Sequence, residues 1–166
     1  MTDEEAIFVE RVGQMLSAGG LPRMAGRIWG WLLICDPAEQ TAASIAAELH
    51  ASRGSVSVTV RLLEQAGLIR RSTRPRDRRE YFSVPPGSVV AVLESRLPST
   101  VAWRRLAEDG LQVLEDRPPA VRSRLQELRD VHAFMERELP ALLERFETER
   151  QAGAGPIGVD RKEQIA

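Results

Sequence analysis

The 166-residue sequence has little cysteine and histidine and no long hydrophobic run. Cys35 is the single cysteine, so the chain cannot form an internal disulfide, and this usage is typical of a reducing compartment. No segment approaches the roughly 18 consecutive apolar residues that a membrane-spanning helix needs. The N-terminal stretch MTDEEAIFVE is acidic, unlike the basic start of a secretory signal. We therefore expect a soluble, cytoplasmic protein with one compact core.

The same scarcity argues against metal binding and catalysis. A zinc site would need carboxylates in addition to His50, His132 or Cys35. GGLPR lacks the spacing of a phosphate-binding loop, and no set of nucleophile, base and orienting residue can be recognised. We predict no metal, no cofactor and no enzymatic activity. Cys35 has no nearby basic residue that would lower its pKa, which favours a buried, inert thiol over an oxidation sensor.

The net charge of -1 conceals a basic middle segment. Residues 1–50 carry 3 basic and 7 acidic side chains, residues 51–80 carry 8 and 3, and residues 81–166 carry 12 and 14. The middle is thus +5 between flanks of -4 and -2. Such a block indicates either a surface that binds a polyanion or an ordinary solvated face.

Apolar spacing predicts three helices in the first 50 residues. The first runs from Asp3 to about Ser17 and is stopped by Gly19-Gly20. The second begins near Pro22 and ends before Asp36-Pro37, because proline suits the first turn of a helix and disfavours its continuation. Thr41 is the predicted N-cap of a third, short helix.

Residues 52–66 predict a fourth helix that presents two different faces. Ser52 is its predicted N-cap, and Gly67 is placed to end it. One face is an apolar stripe, formed by Val56, Val60 and Leu63. The other faces carry Arg53, Ser55, Ser57, Val58 and Arg61. Two short strands are predicted next, Leu68–Ser72 and Glu80–Val84, joined by the basic loop TRPRDRR.

This order of elements predicts a mainly α protein with a winged helix-turn-helix and a two-stranded wing. A serine-rich, β-branched first turn makes a poor isolated helix. Its side chains are short and polar, however, which suits a helix that enters a major groove about 12 Å wide. The alternative is a serine-capped helix with no role in DNA binding.

The sequence also resembles the MarR-type transcriptional regulators, and more closely their GbsR-like branch, over roughly residues 15 to 85. The resemblance rests on Pro22-Arg23 with Gly26-Arg27, on Ser52–Ser55, on Leu63-Glu64 with Gly67-Leu68-Ile69, and on Asp77-x-Arg79. It implies a homodimer that binds a pseudo-palindromic operator on double-stranded DNA, usually as a repressor. It also implies an affinity that a small-molecule effector often modulates.

Transferred residue by residue, the resemblance implies two sets of DNA contacts. The contacts to the major groove or its flanking phosphates are Arg53, Ser55, Ser57 and Arg61. In the wing, Arg79 reaches the minor groove, Asp77 orients the loop, and Arg74, Arg76 and Arg78 add charge. Because Arg78 and Arg79 are neighbours, the sequence leaves open which of them is inserted. A narrow, A·T-rich minor groove would favour either arginine.

The C-terminal half is predicted to be helical, with breaks at Pro98-Ser99 and Pro118-Pro119 and a long last helix that Pro140 should kink or divide. Its apolar stripe extends beyond a small winged domain. A second copy of the chain covers it most simply, in an isologous dimer that includes the N-terminal helix; an intramolecular bundle is the alternative. The predicted segments are an N-terminal dimerisation helix (1–20), a winged helix-turn-helix (21–85), C-terminal dimerisation helices (86–151) and a flexible tail (152–166).

Three tryptophans leave a further choice open. Trp29, Trp31 and Trp103 either belong to the core or line an effector pocket between the winged domain and the dimer helices. The sequence as a whole predicts a dimeric transcriptional regulator that binds DNA. The alternative is a winged helix that serves as a protein-interaction scaffold, with the basic block facing an acidic partner.

Overall fold

The computed structural model describes residues 1–153, which divide between Val92 and Leu93 into two compact units. The first unit contains α1 (Asp3–Ala18), α2 (Arg23–Ile34), β1 (Gln40–Thr41), α3 (Ala42–Glu48), α4 (Arg53–Gln65), β2 (Arg70–Arg74) and β3 (Asp77–Ser83). α5 (Ser88–Glu94) spans the boundary, and the second unit contains α6 (Leu97–Val113) and α7 (Pro119–Gly153). From residue 154 onward, the predicted tail lies outside the described residues.

α3 and α4 begin at their predicted caps. The Thr41 hydroxyl accepts a hydrogen bond from the Ser44 N–H at 3.1 Å, and the Ser52 hydroxyl accepts one from the Ser55 N–H at 3.1 Å. These bonds satisfy N–H groups that have no partner in the first helical turn. Gly67, with φ at +73°, ends α4 in the left-handed region, as the sequence predicts.

The core of the first unit lies where α2, α3 and α4 meet. Its largest fully buried side chains include Ile28, Ile45, Leu49, Val56 and Leu63. The apolar stripe predicted for α4 is therefore confirmed, and it points into the core. With one face of α4 buried, the opposite face is left to solvent.

The predicted two-stranded wing is confirmed as the hairpin of β2 and β3, and a third strand that was not predicted, β1, extends it to an antiparallel sheet in the order β1-β3-β2. The third strand, β1, pairs Gln40 with Phe82 and Thr41 with Tyr81. The hairpin loop is also shorter than predicted, because β2 and β3 extend until Arg74 pairs with Asp77. Arg78 and Arg79 belong to β3 although the pairing register shifts between Thr73 and Arg74, so a basic sequence does not require a loop.

The second unit consists mainly of α6 packed against α7, with Ala107, Leu111 and Leu143 buried. α7 continues through Pro140, so the predicted division of this helix is wrong. Pro140 lies on an exposed part of α7, where a carbonyl that loses its helical hydrogen bond stays solvated. The predicted break at Pro98-Ser99 is displaced too, because α6 already begins at Leu97. Among the described residues, no helix is long and apolar enough to cross a membrane.

Candidate nucleic-acid interface

From Arg53 to Arg61 the outer face of α4 is mainly polar and basic, and Glu64, two turns beyond Ser57 on the same side, is paired with Arg71. Gly54, Val58 and Arg61 follow one another at i, i+4 and i+7, so they share the side opposite the core. Arg53, Ser55 and Arg61 are exposed and Ser57 is half-buried. The predicted contact residues of the recognition helix are therefore all accessible. The buried apolar stripe of the same helix holds it against the core.

Within the described residues, neither Arg53 nor Arg61 forms an ion pair, and the hydroxyls of Ser55 and Ser57 make no hydrogen bond. Thr59 differs, because its hydroxyl donates to the Ser55 carbonyl at 2.7 Å and is buried. The donors of α4 that face outward thus remain available to an external acceptor. Phosphate oxygens and base edges are acceptors of this kind.

The tip of the wing consists of two residues, Pro75 and Arg76, because Arg74 and Asp77 are already paired. Arg76 adopts a left-handed φ of +64°, which lets this short loop close. Its side chain and that of Arg78 are exposed, and within the described part of the chain neither forms an ion pair. The wing therefore extends two uncompensated guanidinium groups into solvent.

Asp77 holds Arg79 by a bidentate interaction. Nε of Arg79 lies 3.0 Å from both carboxylate oxygens of Asp77, and Nη2 lies 2.7 Å from Oδ2. The Asp77 carboxylate also accepts the backbone N–H of Arg79 at 2.9 Å and the hydroxyl of Tyr81 at 2.7 Å. These hydrogen bonds, chiefly that from the Arg79 side chain, hold the pKa of Asp77 well below its usual range. Asp77 thus restrains the Arg79 side chain, and its predicted role in orienting the wing stays a prediction.

Arg74 flanks the tip of the wing and is bound within the protein. Its Nη2 donates to Glu39 at 2.7 Å, and its guanidinium lies 4.0 Å from the centre of the Tyr81 ring. Ser72 also donates to Glu39, at 3.1 Å. The charge of Arg74 is thus largely compensated within the protein, unlike that of Arg76 or Arg78.

Arg71 connects the recognition helix to the wing. Its Nε lies 3.2 Å from Glu64 of α4, and its Nη1 lies 2.8 Å from Glu80 of β3. The sequence interpretation missed this residue, as it missed Glu39 and Tyr81. A period-two pattern would have placed Tyr81 on the same face as Asp77 and Arg79. No local pattern could indicate Glu39, because it is 35 residues from Arg74.

The three predicted pocket tryptophans lie in different units. Trp31 is buried and Trp29 is half-buried in the first unit, and the indole N–H of each has no acceptor among the described residues. Trp103 belongs to the second unit, is half-exposed, and has its ring centre 6.2 Å from that of His132. The role of these residues in an effector site stays a prediction.

Metal and thiol chemistry receive no structural support within residues 1–153. No group of three or more His, Cys, Asp or Glu side chains there is arranged to hold a metal ion. Burial raises the pKa of the Cys35 thiol, which favours its protonated, unreactive form.

Comparison with known proteins identifies the family. A MarR family model matches residues 34–81, and a model described as an MmpR5-like MarR family transcriptional regulator matches residues 87–149. The chain is 40% identical over 139 residues to the HTH-type transcriptional regulator MmpR5 of Mycobacterium tuberculosis (strain ATCC 25618 / H37Rv), with 84% of each protein covered.

The fold has a close structural counterpart as well. A crystal structure of a transcriptional regulator is 38% identical, with a TM-score of 0.76, and the match covers 87% of this chain and 99% of that one. The predicted MarR-type resemblance is confirmed, whereas the GbsR-like branch stays a prediction. The protein belongs to the MarR family, and it is a DNA-binding transcriptional regulator with a winged helix-turn-helix.

Proposed function

We propose that this protein acts in the cytoplasm as a homodimeric repressor of a pseudo-palindromic operator. The outer face of α4 enters the major groove, and the wing follows the adjacent minor groove. In this arrangement the two recognition helices of the dimer lie in successive major grooves, about 34 Å apart. The GbsR-like branch is our proposal for the place of the chain within the family.

One observation carries the proposal, namely how the charges of residues 51–80 are paired. All three acidic residues of this segment bind an arginine of the segment itself: Glu64 and Glu80 bind Arg71, and Asp77 binds Arg79. Five other arginines of the segment form no ion pair with a described residue: Arg53, Arg61, Arg70, Arg76 and Arg78. Free guanidinium groups on α4 and on the wing suit the phosphate backbone of a duplex.

We propose that Arg79, rather than Arg78, enters the minor groove. Arg79 is restrained by Asp77 through Nε and Nη2, yet 69% of its side chain is exposed and Nη1 remains free to donate. A restrained side chain loses less conformational entropy when it binds. Arg78 is exposed and forms no ion pair with a described residue, and in this proposal it contacts a phosphate.

The homodimer explains the apolar side chains that the two units leave exposed. On α1 these are Ile7 and Met15, and on α7 they are Val131, Phe134, Leu142 and Phe146. We propose that segments 1–20 and 86–151 of two copies bury these side chains against one another in an isologous interface. Size-exclusion chromatography with light scattering should give a mass near twice 18.5 kDa. A monomer at micromolar concentration would contradict this part of the proposal.

We also propose that a small molecule regulates the protein and that Trp29, Trp31 and Trp103 respond to it. The buried indole N–H groups of Trp29 and Trp31 favour a ligand that supplies hydrogen-bond acceptors. Tryptophan fluorescence, measured during titration with candidate ligands in the presence of operator DNA, tests this. We expect a ligand that lowers the affinity for DNA, and DNA should then lower the affinity for that ligand by the same factor.

The decisive experiment is selection from random duplex DNA by the purified protein, followed by affinity measurements at several salt concentrations. We expect a pseudo-palindrome with half-sites one helical turn apart, and an affinity that falls steeply with salt. If no sequence is enriched, and duplex DNA binds only weakly, the protein is instead a winged-helix scaffold that binds an acidic partner.

Two substitutions then test the assigned faces. Arg61→Ala and Arg79→Ala should each weaken operator binding, and loss of a phosphate contact should reduce the salt slope by about 1. Arg117→Ala is the matched control, because it removes the same charge from the exposed turn between α6 and α7. Equal affinities for all three variants and the wild type would exclude the proposed faces.

A further inference from the structure

Val58 is an apolar residue placed at the centre of a polar face. Its side chain is 69% exposed, although the other valines of α4, Val56 and Val60, are buried in the core. Single exposed apolar residues are common on protein surfaces and need no explanation by themselves. The surroundings of Val58 on the outer face of α4 are what give it significance.

The neighbours of Val58 leave room for an approaching base pair. Gly54, one turn earlier on the same side, has no side chain, and no atom lies within 4 Å of the position its Cβ would take. Arg61, almost one turn later, is exposed and within the described residues forms no ion pair. Ser57 lies beside Val58 and is half-buried. Val58 is thus the apolar contact point of a face that otherwise offers hydrogen-bond donors and positive charge.

We propose that Val58 determines specificity by contacting the 5-methyl group of a thymine in each half-site. In the major groove, that methyl group is the apolar feature that distinguishes thymine from the other bases. The two methyl groups of Val58 supply an apolar partner, whereas the serines and arginines around it cannot. This inference rests on the proposed insertion of α4 into the major groove.

The surroundings favour DNA over a protein as the occupant. From Ser52 to Leu63, α4 and its cap carry no acidic side chain, so the face has the charge that a polyanion requires. One valine between an arginine and a glycine is far smaller than the apolar patches that mark protein interfaces. A single methyl group of a base matches an apolar surface of this size.

The experiment uses the full-length protein and the operator obtained by selection. Each thymine of the half-sites is replaced in turn by deoxyuridine, which lacks only the 5-methyl group and keeps the same hydrogen-bonding edge. At one position per half-site we expect the wild type to lose affinity about fourfold, as burial of one methyl-sized group predicts, and about fifteenfold when both half-sites are replaced. At the other thymines, replacement should have little effect.

Val58→Ala identifies the residue that reads the methyl group. This variant should bind the thymine and deoxyuridine operators almost equally, because its shorter side chain no longer reaches the methyl. It should fold normally, since alanine is the better helix former and position 58 is exposed. Val113→Ala is the matched control, because it removes the same atoms from an exposed site on α6. In this variant the ratio of the affinity for the thymine operator to that for the deoxyuridine operator should equal the wild-type ratio.

The outcomes separate this inference from the proposed function. If the protein selects an operator but deoxyuridine is tolerated at every position, or if Val58→Ala retains the full thymine preference, the role of Val58 is wrong while the DNA-binding mode stands. If no sequence is selected at all, the proposed operator recognition fails and the inference fails with it. If Val58→Ala loses the preference for thymine over deoxyuridine and Val113→Ala keeps it, both the role of Val58 and the DNA-binding mode are supported.

Discussion

The close approach of α1 and α2 gives a sharp prediction for Gly26→Ala. A Cβ atom at Gly26 would lie 2.6 Å from Cα of Gly13 and 2.6 Å from the carbonyl oxygen of Val12. Ordinary contact begins at 3.4 Å, so the helices would have to separate locally by about 0.8 Å. Both opposing atoms belong to the backbone of α1, so no side-chain rotation can relieve the overlap.

The expected cost follows from two opposing effects. Overpacking costs about 1–3 kcal/mol, and a backbone contact belongs at the upper end of that range. Alanine recovers about 1 kcal/mol relative to glycine within a helix. The net loss in the free energy of unfolding is therefore about 2 kcal/mol. For a chain of this size the thermal midpoint should fall by about 4–8 °C.

Thermal unfolding followed by circular dichroism at one fixed protein concentration measures this shift, since the proposed dimerisation would make the midpoint depend on concentration. Gly54→Ala is the matched control: it makes the same exchange within a helix but at an open position, so its midpoint should stay level or rise. If the Gly26→Ala protein is as stable as the wild type, the α1 backbone does not restrict the size of the side chain at position 26, and the reasoning is refuted.

Four further predictions follow from other contacts. Asp77→Asn should lower the preference for A·T over G·C pairs beneath the wing by about tenfold, which is the effect of losing one hydrogen bond to a charged group. The measurement compares the affinities for two operators that differ only in these base pairs. The lowered pKa of Asp77 means that its stabilising contact is complete above the unfolded-state value near 4 and is lost only as the pH falls through the lower folded-state value. The affinity ratio of the wild type to Asp77→Asn should therefore be the same at pH 7 and pH 5.5, and a ratio that changes would contradict this. Glu39→Gln frees Arg74 for phosphate and should steepen the dependence of log affinity on log salt by up to about 1; an unchanged slope would mean that Arg74 stays bound within the protein. Leu143→Ala removes a buried side chain of α7 and should lower the free energy of unfolding by about 2–5 kcal/mol in urea titrations, so a loss below 1 kcal/mol would show that this site is not part of a packed core.

Much of the recognition helix could be read from the sequence because its determinants are local. The Ser52 cap, the buried stripe and the turn at Gly67 each depend on residues within about one or two helical turns. Once the stripe is known to face the core, the residues of the opposite face follow from the helical period. The accessible positions of Arg53 and Arg61 therefore follow from the order of the residues alone.

The contacts of the wing with Glu39 and β1 could not be read in this way, because they join distant parts of the chain. Glu39 binds Arg74 across 35 residues, and β1 pairs Gln40 with Phe82 although a two-residue strand has no periodic signal of its own. The charge pattern of the sequence likewise cannot separate the compensated Arg71 from the free Arg78.

The sequence by itself thus determined the order of the elements and which face of α4 is left open, since periodicity, caps and turns act over a few residues. Only the tertiary structure decided which arginines are compensated and how Asp77 restrains Arg79 beside Tyr81. It also decided that α7 runs unbroken through Pro140. The physical reason is that ion pairs and strand pairing depend on which residues the fold brings within about 3 Å of one another, and that distance is set by the packing of the whole unit.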